Sequence, residues 1–409
     1  MEARRILFVI FDGLGDRPLT ELGHKTPLEA TPKPNLDWFA ANGVNGLVDP
    51  IAPGIPAGSD TSHLALLGYD PHEVYTGRGP FEAAGVGIDL EPGDIAFRGN
   101  FATVDEDMRL TDRRAGRIRE GTEELARALD GMKIGRVKVM FRAGTEHRTA
   151  LVLRGRGLSP KVTDTDPHQE GEEIRQAEPL ESAAKPTAKA VNAFTKQAFK
   201  VLKTHPVNRA RIAKGEAPAN AVVLRGAGVY PDLVPITERL HLKAAGIAGV
   251  ALIRGMFRAV GIEPLDVRGA TGGLDTDMIA KADAALRAME SYDLVVLHVK
   301  APDLCGHDGK ASEKIRVIER LDAMMGHLKA KLPSDVVVAM TADHSTPVAI
   351  KDHSGDPVPL TIFGEGVRVD GVNAFDERSV AHGAIGRVRG LDVMNLLMDL
   401  AGRSEKYGA

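Results

Sequence analysis

ILFVIFDG (Ile6 to Gly13) is an unbroken apolar run that ends on a carboxylate and then a glycine. Ile6 to Phe11 is too short for a signal core or a membrane span, and the start Met1-Glu2-Ala3-Arg4-Arg5 does not lengthen it. Apolar residues without alternation mark a strand covered on both faces, as in parallel sheets. Asp12 follows the strand directly, and Gly13 permits a tight turn. In an open α/β sheet, ligands bind beyond the carboxyl ends of the strands. This one stretch therefore predicts both a fold class and the sheet edge where the chemistry belongs.

Comparable runs recur at Ala221 to Leu224, Val250 to Ile253, Leu294 to Val299, Val336 to Met340 and Leu360 to Phe363. Helical patterns lie between them. Asp275 is placed to cap a helix with apolar positions Met278, Ala282, Ala285, Leu286 and Met289. Ile315, Ile318, Leu321, Met325 and Leu328 mark a second apolar face, and Leu391 to Leu400 a third. Strands alternating with helices predict an α/β fold, a mostly parallel sheet flanked by helices. The middle of the chain reads differently. Ile95 to Val104 and Val137 to Leu153, with a turn at Gly144, resemble antiparallel strands. Arg117 to Leu129 and Ser182 to Lys203 resemble helices, and Asp164 to Glu173 a polar loop. The expectation is a smaller α+β domain, residues 73–207, inserted in a main domain of residues 1–72 and 208–409.

Composition narrows the function. The chain has 409 residues, long enough for two cores, and 43% are hydrophobic. A net charge of −4 argues against a general nucleic-acid binder. The single cysteine, Cys305, excludes an intrachain disulfide and a four-thiolate metal site. With no membrane span expected, the cytoplasm is the expected location.

Other strand ends carry similar groups. Asp303 follows Leu294 to Val299, and Asp343 and His344 follow Val336 to Met340. Asp303 and His307 are four apart, so a turn or helix start can aim both at one ion. Asp343 and His344 are adjacent and can share an ion only from an irregular strand exit. His353 completes a set of three carboxylates and three imidazoles. The hydroxyl is Ser59, in PAGSDTSH (Pro56 to His63), where a helix beginning at the serine would favour an anionic phosphoryl group. Oxygen and imidazole donors without thiolate suit Mn2+, Zn2+, Co2+ or Mg2+. Asp12, Asp303, Asp343 and an ionised Ser59 make four negative charges, which two divalent cations neutralise. Serine is a poor nucleophile at neutral pH, and a cation stabilises its alkoxide. Taken singly, such residues are ordinary: a Ser after Gly caps a helix, and an Asp after a strand makes a turn. His63, Cys305 and His327 read as packing or hydrogen-bonding groups. The convergence is what points to a metal site.

The motifs match a known family. FDGLGD (Phe11 to Asp16), PAGSDTSHLALLGYDP (Pro56 to Pro71), TGRGPFEAAGVGI (Thr76 to Ile88) and DIAFRGNFATVD (Asp94 to Asp105) are its most specific stretches here. NRARIAKGEAPANAVVLRGAG (Asn208 to Gly228), GATGGLDTD (Gly269 to Asp277), HVKAPDLCGHDG (His298 to Gly309), TADHSTP (Thr341 to Pro347) and HSGDPVP (His353 to Pro359) add to them. The chain resembles the archaeal-type, cofactor-independent phosphoglycerate mutases of the alkaline phosphatase superfamily, nearly end to end. The resemblance implies a split phosphatase-like domain that binds metal, an inserted substrate-binding domain that serves as a lid, and two divalent metals. It implies that Asp303, His307 and His353 hold one ion, and Asp12, Ser59, Asp343 and His344 the other. The implied activity interconverts 3-phosphoglycerate and 2-phosphoglycerate through a phosphoserine, without bisphosphoglycerate. The expected partner is this small acid, with neither nucleic acid nor membrane.

A substrate with phosphate and carboxylate calls for arginine forks. The candidates are Arg148, Arg209, Arg211, Lys243 and Arg254, with Arg98 a weaker one. His147, in TEHR (Thr145 to Arg148), is the preferred acid/base, because histidine exchanges protons near neutrality. Another metal-dependent phosphotransferase or phosphomonoesterase would use the same ligands. A protein that merely binds metal would have no need of Ser59.

Overall fold

The computed structural model describes residues 3–406 and 408. The chain divides into two compact units: one comprises the flanks, up to Tyr75 and from Leu233 onward, and the other is Thr76–Asp232.

In the first unit, an eight-stranded sheet runs Glu263–Pro264, Ala244–Ile247, Leu294–Val299, Arg5–Phe11, Val336–Thr341, Val358–Phe363, Val44–Asp49 and Gly386–Arg389 from edge to edge. Its pairings are parallel except on either side of Val358–Phe363, which runs against the rest. Ile6 to Phe11 are all 0% exposed, as expected of a central strand. Each such side chain contributes about 1.5–3 kcal/mol by burial. The antiparallel strand matters for the site. A parallel crossover would carry the chain to the opposite edge, whereas this reversal keeps residues 342–357 at the carboxyl ends of the central strands. Bridges of Ser345 to Leu14, Gly15 and Ser354 pin that loop down. Among the described residues, no helix is long and apolar enough to cross a membrane.

In the second unit, antiparallel strands run Leu110–Asp112, Ile95–Val104, Arg148–Arg154, Val137–Ala143 and Lys133–Ile134, and Ala221–Val229 also pairs with Ile95–Val104. Phe97, Phe101, Phe141, Phe194, Leu125 and Leu202 share a core that includes side chains of helices Thr122–Leu129 and Lys185–Lys203.

Several expectations are corrected. The boundaries at 72 and 207 move to 75 and 232, because Ala221–Val229 belongs to the antiparallel sheet, with Asn100 opposite Val223. Helix Pro206–Ala213 goes with it, as buried Asn208 bonds to the Leu202 and Ala219 carbonyls. Val250 to Ile253 is not a strand but the start of helix Ala251–Ala259, whose Leu252, Ile253, Met256 and Phe257 form one buried face. Asp277, not Asp275, caps helix Met278–Ala288, accepting from Ala280 N at 2.9 Å. Strands Val44–Asp49, Ala244–Ile247 and Gly386–Arg389 were not expected.

Candidate active site

Asp12 leaves the first strand and Gly13 turns at φ +65°. A Cβ there would lie 2.6 Å from Asp303 Cβ and 2.6 Å from Thr346 Oγ1, so only glycine admits both neighbours. Gly13 N donates to Asp343 Oδ1 at 3.0 Å, and His344 N donates to the same oxygen at 3.0 Å. The other oxygen, Asp343 Oδ2, is buried without a hydrogen-bond partner. Burial and the negative charge of Asp12 push the Asp343 carboxyl up to about 6. An orphaned carboxylate oxygen in such a place fits a cation.

Ser59 opens helix Ser59–Leu66, and its Oγ lies 3.1 Å from His344 Nε2. That nitrogen is 3.3 Å from Asp343 Oδ2 and 3.7 Å from Asp12 Oδ1. Burial holds the His344 imidazole down at about 3, so it is neutral and able to ligate. Asp12, Asp343 and His344 offer donor atoms all within 4.8 Å of one another.

Asp303 sits in helix Ala301–Asp308, and His307 lies one turn on. Asp303 Oδ1 is 3.4 Å from His307 Nε2 and 3.5 Å from His353 Nε2. His307 Nδ1 faces the Lys351 carbonyl at 3.0 Å, and His353 Nδ1 the Ala57 carbonyl at 2.7 Å. A carbonyl only accepts, so each Nδ1 carries the hydrogen, and in the neutral ring each Nε2 presents a lone pair, the arrangement typical of ligating histidines. Asp303, His344 and His353 form a second close donor group, and His307, Asp352 and His353 a third. The structure thus gathers all seven residues expected to hold metal.

The sequence reading passed over Lys300. Its Nζ lies 2.8 Å from Asp12 Oδ1 and 2.7 Å from Asp303 Oδ2, joining one carboxylate of each expected ion site. Burial opposes its charge, but Asp12, Asp303 and Asp343 more than offset this and raise its pKa. Burial likewise raises Asp12 and Asp303, yet Lys300 holds both below the usual carboxylate range. The HVKAPD stretch was the available signal, with the lysine standing between a strand end and Asp303. His298 was also missed; its Nε2 meets Asp12 Oδ2 at 2.8 Å. His63 and His327 are hydrogen-bonded, to the Ser59 carbonyl and to Asp283 respectively, and Cys305 is buried.

The substrate candidates fare unevenly. Lys243 precedes strand Ala244–Ile247, whose Ala244 pairs with Leu294 at the amino edge. It therefore lies at the opposite edge from the candidate metal donors. Arg254 follows the same strand at the carboxyl edge, beside a cavity of about 400 Å3 that Arg268 also lines. Its guanidinium bonds the Leu265 carbonyl at 3.0 Å and Asp266 at 2.6 Å. In the second unit, Arg211 is committed to the Ala217 and Ala115 carbonyls and to Glu216. Arg209 is exposed on the same helix.

Arg148 belongs to a group the sequence did not reveal. Glu82 is flanked by Arg78 at 3.2 Å and Arg98 at 3.6 Å and feels the charge of Arg148. Arg113 grips Asp166 with two nitrogens, and Arg225 approaches the same carboxylate at 4.0 Å. Strand pairing sets Arg98 opposite Arg225 and Asn100 opposite Arg148. Burial and Arg78 bring Arg98 down to about 9. His147 is buried beside this group; burial, Arg148 and Arg114 bring it down to about 4. Arg98 Nε, Asn100 Oδ1, His147 Nδ1 and Thr149 Oγ1 are buried without hydrogen-bond partners. Cationic excess with unsatisfied polar atoms suits a small anion.

Comparisons with known proteins identify the family. A family model described as 2,3-bisphosphoglycerate-independent phosphoglycerate mutase matches residues 40–208. A protein of that name from Methanothermobacter thermautotrophicus is 50% identical, covering 98% of this chain and 99% of its own. Another from Sulfurisphaera tokodaii is 46% identical over the whole of both chains. Among solved structures, a Pyrococcus horikoshii protein is 40% identical, with TM-score 0.88 and complete coverage of both chains. The cofactor-independent phosphoglycerate mutase of Thermoplasma acidophilum is 38% identical, with TM-score 0.72, covering 98% of this chain and 100% of that one.

Proposed function

Because the chain belongs to the 2,3-bisphosphoglycerate-independent phosphoglycerate mutase family, a family of isomerases, we propose that it interconverts 3-phosphoglycerate and 2-phosphoglycerate through a phosphoserine on Ser59 beside two divalent cations. The observation that carries this reading is Ser59 Oγ, 3.1 Å from His344 Nε2 in a cluster with Asp12 and Asp343. Asp12, Asp343, His344 and Ser59 would hold one cation, and Asp303, His307 and His353 the other. When bound, the cations supply positive charge that favours the serine alkoxide and the crowded phosphoryl oxygens.

The residues of the chain supply the rest. Ser59 Oγ attacks phosphorus; the Oγ–P bond forms as the bond from phosphorus to the glycerate oxygen breaks. The proton lost by Ser59 is balanced by one gained at that oxygen. The other glycerate hydroxyl then attacks the phosphoserine phosphorus; the new O–P bond forms as the Ser59 Oγ–P bond breaks, and the proton lost by that hydroxyl is balanced by one regained at Ser59 Oγ. Lys300 adds a fixed positive charge beside Asp12 and Asp303. The arginine group of the second unit is assigned to binding the anionic acid, with His147 as the proton-exchanging group of that unit. We place the enzyme in the cytoplasm, consistent with its single cysteine.

The test is an enolase-coupled assay on 3-phosphoglycerate without bisphosphoglycerate, before and after chelation. Turnover that stops on chelation and returns with Mn2+ is expected. Release of free phosphate instead would mark a phosphomonoesterase. Ser59→Ala should lose turnover on the order of 10^4-fold or more while still binding metal.

A further inference from the structure

We propose that Thr346 is a positioning residue that couples the two cation-holding groups through its single hydroxyl. The inference rests on the two-cation reading above. Thr346 is fully buried, and its Oγ1 lies 2.7 Å from Asp303 Oδ1 and 3.1 Å from His344 Nδ1. One of these partners belongs to each expected ion site.

The proton inventory fixes the direction of both bonds. A hydroxyl has one proton, and an ionised carboxylate can only accept. Thr346 therefore donates to Asp303, and its oxygen accepts the hydrogen on His344 Nδ1. The bare nitrogen of His344 is then Nε2, the one facing Ser59, Asp12 and Asp343. A single side chain sets the rotamer of Asp303 and the tautomer of His344.

Thr346 is itself held firmly. Its N donates to the Gly15 carbonyl at 3.0 Å, and its carbonyl accepts from the buried Lys314 Nζ at 3.0 Å. A Cβ on Gly13 would stand 2.6 Å from Thr346 Oγ1, and one on Gly306 would stand 2.7 Å from Thr346 Cγ2. Two glycines thus close over the side chain. Valine keeps the shape but replaces the hydroxyl with a methyl. Asp303 then loses a donor, and His344 is free to adopt either tautomer.

Calorimetric titration of Mn2+ into metal-free wild type, Thr346→Val and Thr346→Ser decides the matter. Wild type should take two ions. Thr346→Val should bind both about 10–100-fold more weakly, the usual effect of losing a partner of a metal ligand. Thr346→Ser, which keeps the hydroxyl, should restore most of that affinity. The Mn2+ concentration for half-maximal turnover should rise in the valine variant, while KM for phosphoglycerate at saturating Mn2+ stays put. A valine variant that binds two ions as wild type does would reduce Thr346 to packing and overturn the proposal. If the valine variant does not fold, Thr346→Ala, which adds no bulk, takes its place, and the serine–alanine difference is read the same way. Wild type binding fewer than two ions would instead overturn the two-cation reading, and this inference with it.

Discussion

Lys300 stands where charge matters most, with a carboxylate from each expected ion site within 2.8 Å. Lys300→Met leaves Asp12 and Asp303 without it. Removing one such preorganised charge typically lowers kcat by about 10^2–10^3-fold. The same change should lower the melting temperature of the metal-free protein and spare that of the Mn2+-loaded protein, as differential scanning calorimetry would show. His147 makes a different prediction. The unfolded chain binds its proton as pH falls through about 6.5, but the native chain only near 4. Stability therefore falls as pH drops across that window, and His147→Gln should lessen the slope of the urea midpoint against pH. Substrate that neutralises Arg148 and Arg114 should move the His147 NMR titration upward. A titration that phosphoglycerate leaves unmoved would remove His147 from the substrate group.

Between elements, the buried ion pair of Asp16 and Lys314 stands out. Lys314 Nζ meets Asp16 Oδ2 at 2.8 Å and the Gly15 carbonyl at 3.2 Å, and neither charged side chain is exposed. The pair ties helix Ala311–Lys331 to the loop that carries Asp12. Asp16→Ala strands a buried ammonium and should cost about 3–5 kcal/mol in chemical denaturation. The central strands could be read from sequence because burial on both faces leaves uninterrupted apolar runs, and their ends carried the candidate metal donors. Edge strand Gly386–Arg389 could not be read, since GRVR is mostly exposed and carries no apolar pattern. Val250 to Ile253 misled because a short apolar run fits a strand or a buried helix face equally well. Of the arginine group only Arg148 and Arg98 were singled out from sequence, for a topological reason. Arg78, Arg98, Arg113, Arg148 and Arg225 are far apart in sequence, and cross-strand pairing, which no local pattern announces, brings several of them together. Thr346 and Lys300 look like spacers until their distances are measured.

For the molecule as a whole, cations binding the native state alone must raise its stability by mass action. Mn2+ at 100 times its dissociation constant adds about 2.7 kcal/mol per site, so the melting temperature should climb with Mn2+ and fall back with chelator. A melting temperature indifferent to Mn2+ would count against native-state ion sites. The order of strands has a consequence of another kind. Arg5–Phe11 lies between Leu294–Val299 and Val336–Thr341, so it must wait for two strands made much later. At ribosomal speeds of about 5–20 residues per second, that wait is roughly 15–65 s. Residues 76–232 can condense meanwhile, because their sheet is self-contained. Until then the apolar run Ile6 to Phe11 lacks both of its neighbouring strands, so its full burial is among the last events of assembly.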